Sequence, residues 1–171
     1  MVERRQPVVV RPFVVGLLVA AAIVSAAGCG SDDPGEPAAS VSTDAVLTAL
    51  VDWTVASEGP TTTTDDEPPP VVYITASNGD TIDAAVQASV VADTADDATV
   101  RFADDRSEAI DDTTEDQRVH DDGVLLVVGE LPAEPTGVTV ERYRALDDTS
   151  VFVVTVVPDG DRAAVTGVTA E

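Results

Sequence analysis

Along this chain the spacing of apolar positions changes period several times, and each change marks an element. Between Ala45 and Val55, Val46, Leu50 and Trp53 share one helical face, with Leu47 and Val51 beside them. Ser42, Thr43 and Asp44 stand before that run as N-cap residues, so a first helix is predicted there with Trp53 in the core. Val71-Val-Tyr-Ile-Thr-Ala76 is dominated by side chains branched at Cβ or aromatic, and reads as a strand. Asn78-Gly79 turns the chain, and Asp80 or Thr81 is the expected cap of a second helix. In that helix Ile82, Ala85, Val86, Ser89 and Val90 recur at helical spacing. Ala98 to Ala103 is the next strand and completes a βαβ unit, for which a right-handed crossover is expected.

Residues 104–122 are acid-dense, with Ser107 to Ile110 read as a helical turn pinned to the core by Ile110. Val124 to Val128 is apolar on both faces and should be a central strand. After a loop over 129–137, residues 138–146 and 150–157 form strands about a turn at Asp147-Asp148. Asp159-Gly160 allows one more reversal into a weaker edge strand over 163–169. The resulting fold class is α+β: a mixed, mostly antiparallel sheet of about five or six strands with two helices packed on one face. Glu58 to Pro70 interrupts this pattern with a Thr run, four acids and consecutive prolines, which lack backbone donors and apolar mass. It is read as an exposed, tolerated insertion whose composition also suits O-glycosylation.

The chain begins differently. Arg4, Arg5 and Arg11 precede an apolar run from Phe13 to Val24, followed by Ser25-Ala-Ala-Gly-Cys29. A positive segment, a short apolar segment and a small-residue site form an export signal. The uncharged run is shorter than the roughly 20 residues a membrane-spanning helix needs. Ala26-Ala27-Gly28-Cys29 resembles the lipobox of bacterial-type lipoproteins, with Ala26 where that family more often has Leu. The resemblance covers residues 1–30. It implies that Cys29 carries a diacylglyceryl group and becomes the first residue after cleavage, with the protein held at the extracytoplasmic side of the cell membrane. Chemistry agrees: an exported chain with one cysteine has no internal disulfide to form, and acylation removes the free thiol. The expected organisation is a signal peptide over 1–28, a flexible acidic tether over 29–41 and a single domain over 42–171.

Charge narrows the function classes. The chain has 32 acids against 9 basic residues, all nine of them arginine. Without the leader, 31 acids face 6 arginines, a formal charge of about −25. Such a field repels nucleic acid and anionic lipid, and it destabilises the fold through self-repulsion that salt relieves.

Candidate chemistry is sparse. His120 is the only histidine, so a Ser-His-Asp hydrolase would depend on it, with Ser57, Ser77, Ser89 or Ser107 as nucleophile. None of these serines lies in a Gly-x-Ser-x-Gly elbow. Paired carboxylates occur, but aromatics are only 4% of the chain, too few to line a sugar cleft. Asp104, Asp105, Glu108, Asp111 and Asp112, together with Asp159 and Asp161, are weak candidates for a calcium site, since hard cations take oxygen ligands. Their spacing does not match an EF-hand loop. Ser77-Asn78-Gly79-Asp80 occupies a strand-to-helix turn, where phosphates bind in other folds, but Asp80 opposes an anion. No catalytic residue and no cofactor is assigned. The leading expectation is a non-enzymatic binding or accessory module of the cell envelope. It is anchored to the membrane by lipid, has an envelope protein as partner and binds divalent cations weakly. A calcium- or cation-responsive surface domain is the alternative, and a hydrolase comes third.

Overall fold

A computed structural model describes residues 41–58, 68–131 and 137–171. The expected signal peptide with Cys29, most of the expected tether, residues 59–67 of the Thr/Pro-rich segment and residues 132–136 lie outside the described residues. The order of elements is α1 (Thr43–Ser57), β1 (Val71–Ala76), α2 (Ala84–Asp93), β2 (Thr99–Phe102), β3 (Val124–Val128), β4 (Gly137–Ala145), β5 (Asp148–Asp159) and β6 (Arg162–Ala170). The strands form one six-stranded sheet in the order β2-β1-β3-β4-β5-β6. β1 is parallel to β2 and to β3, while β3-β4, β4-β5 and β5-β6 are antiparallel. The α+β class, the two helices and the mixed sheet therefore stand as the residue pattern predicted.

Period explains the main core. Val72, Ile74, Val100, Val124, Leu126, Val128, Val138, Val140, Val154 and Val156 alternate along their strands and meet Val46, Leu47, Leu50 and Val51 of α1 and Val90 of α2. Both helices thus lie on one face. Trp53 is half-buried at the rim rather than in the centre, edge-on to Phe152 with ring centroids 5.3 Å apart. Val124–Val128 is interior to the sheet because both its faces are covered.

Several boundaries differ from expectation. Asp83, not Asp80 or Thr81, caps α2: its Oδ1 accepts from the Ala85 amide at 2.8 Å. Asp80 is instead held in the preceding turn, where its amide donates to Asn78 Oδ1 at 3.1 Å and Asn78 Nδ2 donates to its carboxylate at 2.7 Å. Ile82 consequently precedes the helix, though it still packs on the core. The β4-β5 turn is Leu146-Asp147, one residue earlier than expected, and β5 begins at Asp148. β5 and β6 are longer than their apolar runs because the ladder continues through Pro158 and Asp159 to a turn at Gly160-Asp161. Gly160 has φ +67, a left-handed value that side chains resist and a tight hairpin needs. Glu58 ends α1 rather than opening a loop, its amide donating to the Thr54 carbonyl at 3.2 Å.

The second face of the sheet is covered by coil. Residues 103–123, between β2 and β3, run across it as a strap, with only short 3-10 turns at Arg106–Glu108 and His120–Asp122. Ala109 and Val119 are buried there against Tyr73, Leu125 and Tyr143, with Ile110 partly buried beside them. The expected turn at Ser107 to Ile110 is therefore a 3-10 turn, and Ile110 pins the strap to the face away from the helices, bridging to Val119.

Candidate functional site

The strap carries Asp104, Asp105, Glu108, Asp111, Asp112 and His120, and its attachments define the site. Three bonds tie it to the end of β4. The Val119 amide donates to the Arg144 carbonyl at 2.9 Å, the Leu146 amide to the Asp116 carbonyl at 2.9 Å, and Tyr143 Oη to the Gln117 carbonyl at 2.7 Å. A fourth attachment is a triad on the sheet. Arg101 of β2 and Tyr73 of β1 are register partners, so both side chains emerge on the strap's face. Arg101 Nη1 donates to Tyr73 Oη at 2.8 Å and to Asp121 Oδ2 at 2.5 Å, and Tyr73 Oη donates to the same Asp121 oxygen at 3.0 Å. Hydrogen bonds from Tyr73 first and then from Arg101 hold the Asp121 carboxyl below the usual carboxylate range. Partial burial raises the Tyr73 phenol, and the bond to Tyr73 and then that to Asp121 raise the Arg101 guanidinium further.

Arg106 extends this pattern, its guanidinium 4.3 Å from the Tyr143 ring centroid and 2.5 Å from Glu141 Oε1. The backbone is tight where the strap returns to the sheet. Gln117, Asp121 and Asp122 have φ of 45, 57 and 51, left-handed values uncommon outside glycine. Gly123 follows, and a Cβ there would come within 2.7 Å of the Val71 carbonyl oxygen, so the close approach of strap and β1 requires glycine.

The candidate metal residues do not converge. Among the described residues no three Asp, Glu, His or Cys side chains are placed to hold an ion. Asp105 and Asp111 are spent locally. The Ser107 amide donates to Asp105 Oδ1 at 2.8 Å, and Thr113 donates to Asp111 Oδ1 from its amide at 3.0 Å and its hydroxyl at 2.5 Å. These bonds depress both carboxyl groups. Glu108 Oε2 accepts from the Asp104 amide at 3.3 Å, and Asp112 lines a cavity of about 310 Å³ with Asp105, Arg106 and Gln117. Asp159 and Asp161 sit at the β5-β6 hairpin, toward the sheet edge away from β2.

His120 opens the second 3-10 turn with its side chain exposed, and its amide donates to the Ala109 carbonyl at 2.9 Å. Two of the nucleophile candidates have their hydroxyls engaged: Ser57 Oγ donates to the Thr54 carbonyl at 2.8 Å and Ser89 Oγ to Asp44 Oδ2 at 3.0 Å. Ser77 and Ser107 are held through their amides, which donate to the Val128 carbonyl and to Asp105 Oδ1.

On the helix face, Arg142 and Arg144 of β4 converge on Glu58 at the end of α1. Arg142 lies 3.6 Å from Glu58 Oε1 and Arg144 bonds Oε2, with the carboxylate largely buried. Arg142 also stacks over Phe152 at 5.7 Å. A larger cavity of about 390 Å³ opens where strap meets sheet, lined by Arg118, Asp122, Gly123, Arg144, Asp147 and Asp148 among others. Among the described residues no helix is long and apolar enough to cross a membrane.

No protein-family model, curated protein or solved structure matches the chain.

Sequence reasoning missed Tyr73, Arg101, Asp121 and Glu58 as partners. Tyr73 carried a usable signal, because a phenol inside an apolar strand needs a hydrogen-bond partner when buried. The identity of that partner depends on the β1-β2 register, which residue spacing within one strand does not contain.

Proposed function

We propose that this protein is a lipid-anchored module on the extracytoplasmic side of a cell membrane, whose domain binds or supports an envelope partner without chemistry of its own. The observation that carries the reading is the run from Arg11 through Phe13–Val24 to Ala26-Ala-Gly-Cys29, in which export signal, small-residue site and the single cysteine coincide. Two acyl chains on Cys29 would give stable anchoring where one is marginal. The use of charge in the domain is consistent with this role. Five of its six arginines brace the fold in pairs with carboxylates, and acids of the strap such as Asp105 and Asp111 close local turns, as in a scaffold that presents a surface.

Growth with a labelled fatty acid tests the anchor. Wild-type protein should take up label, and Cys29→Ala should take up none and accumulate as unprocessed precursor; unlabelled wild type overturns the reading. Crosslinking in native membranes would then identify the partner. Thermal melts with calcium, magnesium and EDTA at matched ionic strength address the cation-responsive alternative. A calcium-dependent rise reversed by EDTA would replace the partner reading with that one.

A further inference from the structure

The two edges of the sheet are built differently. β2 is four residues long and flanked by Asp96-Asp97 and Asp104-Asp105, a short and charged edge of the kind that resists pairing. β6 is nine residues long and contains no acid, in a chain that has 32. Among the described residues no strand lies beyond it. Its pairing with β5 places Ala163, Val165, Val168 and Ala170 on the helix face, and Thr166, Val168, Thr169 and Ala170 are exposed. A long neutral edge with free backbone donors and acceptors is a template for another strand.

Charge specifies which strand. Five arginines of the described residues are in close ion pairs with carboxylates, while Arg162, at the start of β6, is exposed and makes no such close pair among them, Asp52 of α1 being near enough only for its charge to be felt. Glu171 follows its other end, its amide still bonded to the Val151 carbonyl at 3.0 Å. A strand complementary to this edge is therefore neutral along its length, apolar on one face, acidic where it meets Arg162 and basic where it meets Glu171. β6 itself, run antiparallel, has that pattern.

We propose that β6 is a self-association edge, pairing antiparallel with β6 of a second copy about a two-fold axis near Thr166. Thr166 is the bulge residue of the strand, since Thr155 pairs with Gly167 and Val156 with Val165. Each Arg162 then approaches Glu171 of the other copy, an isologous arrangement that makes both ends of the contact at once. The acid-free edge joins without burying a carboxylate. The rest of the surface repels its copy, so association strengthens as salt shortens the Debye length from about 8 Å at physiological strength to about 3 Å at 1 M. A basic extended partner on the same edge would show the opposite salt dependence.

The test uses the full chain expressed with its leader, oxidised in intact cells and again at about 1 M NaCl. Thr166→Cys should give a disulfide-linked dimer that wild type does not, in higher yield at high salt. Adding Arg162→Glu should lower the yield about tenfold, and adding Glu171→Arg to that variant should restore it. Melting curves matched to wild type establish that each variant is folded. Failure of Thr166→Cys to crosslink at either salt, a yield that falls with salt, or a yield indifferent to Arg162→Glu would overturn the proposal.

Discussion

Leu125 and Leu126 are neighbours in β3, both fully buried, and they point to opposite faces of the sheet. Replacing each by alanine compares the two coverings of one strand. Either substitution removes three carbons, a transfer loss of roughly 2.5 kcal/mol at about 0.8 kcal/mol per buried methylene. What separates them is the cavity left behind. Leu126 pairs with Ile74 and sits under α1 and α2, whose regular backbones have little freedom to move inward. Its loss should reach about 4–5 kcal/mol. Leu125 pairs with Tyr73 and Tyr143 beneath Ala109 and Val119 of the strap. Coil held by a few bonds settles into a void more readily, so Leu125→Ala should cost about 2.5–3.5 kcal/mol. At roughly 3–5 °C per kcal/mol for a domain of this size, the melting temperatures should differ between the variants by about 5 °C. Denaturant unfolding measures the two losses, and hydrogen exchange locates them. In Leu125→Ala the amides of Val119 and His120 should exchange faster while those of α1 stay protected. Equal losses with unchanged strap protection would refute the idea that the strap is the softer covering.

Three other outcomes follow from the charges. Glu58→Ala leaves Arg142 and Arg144 half-buried without their anion and should lower stability by about 1–3 kcal/mol, read from urea midpoints. The carboxyls of Asp105, Asp111, Asp116 and Asp121 are all depressed by folding. Their contribution is therefore fully present above the unfolded value near 4 and is lost as pH falls through the lower folded values. Strap amides should lose exchange protection below about pH 4 before those of α1, and Tyr73→Phe, which removes one bond to Asp121, should move that loss to higher pH. The melting temperature of the wild type should rise with NaCl, because the net negative charge is screened; a flat or falling dependence would contradict the self-repulsion argument.

The residue pattern by itself determined the elements, because their cause is local. The βαβ unit, the apolar β3 and the existence of two hairpins, expected at Asp147-Asp148 and Asp159-Gly160 and each found one residue away, follow from period, branching at Cβ and turn chemistry within a few residues. The same locality accounts for the boundary errors. Asp80, Thr81 and Asp83 are all chemically able to cap a helix, and only the closed turn at Asn78 leaves the role to Asp83. Tertiary structure alone decided the rest. It joined Tyr73, Arg101 and Asp121 through strand register, brought Glu58 to two arginines more than 80 residues away in sequence, and laid an acidic coil across the second face of the sheet. It also placed β6, the least acidic long strand, beside β5 at the edge of the sheet among the described residues. Each of these is a contact between segments distant in the chain. Strand order and register set such contacts, and no period within one segment encodes them.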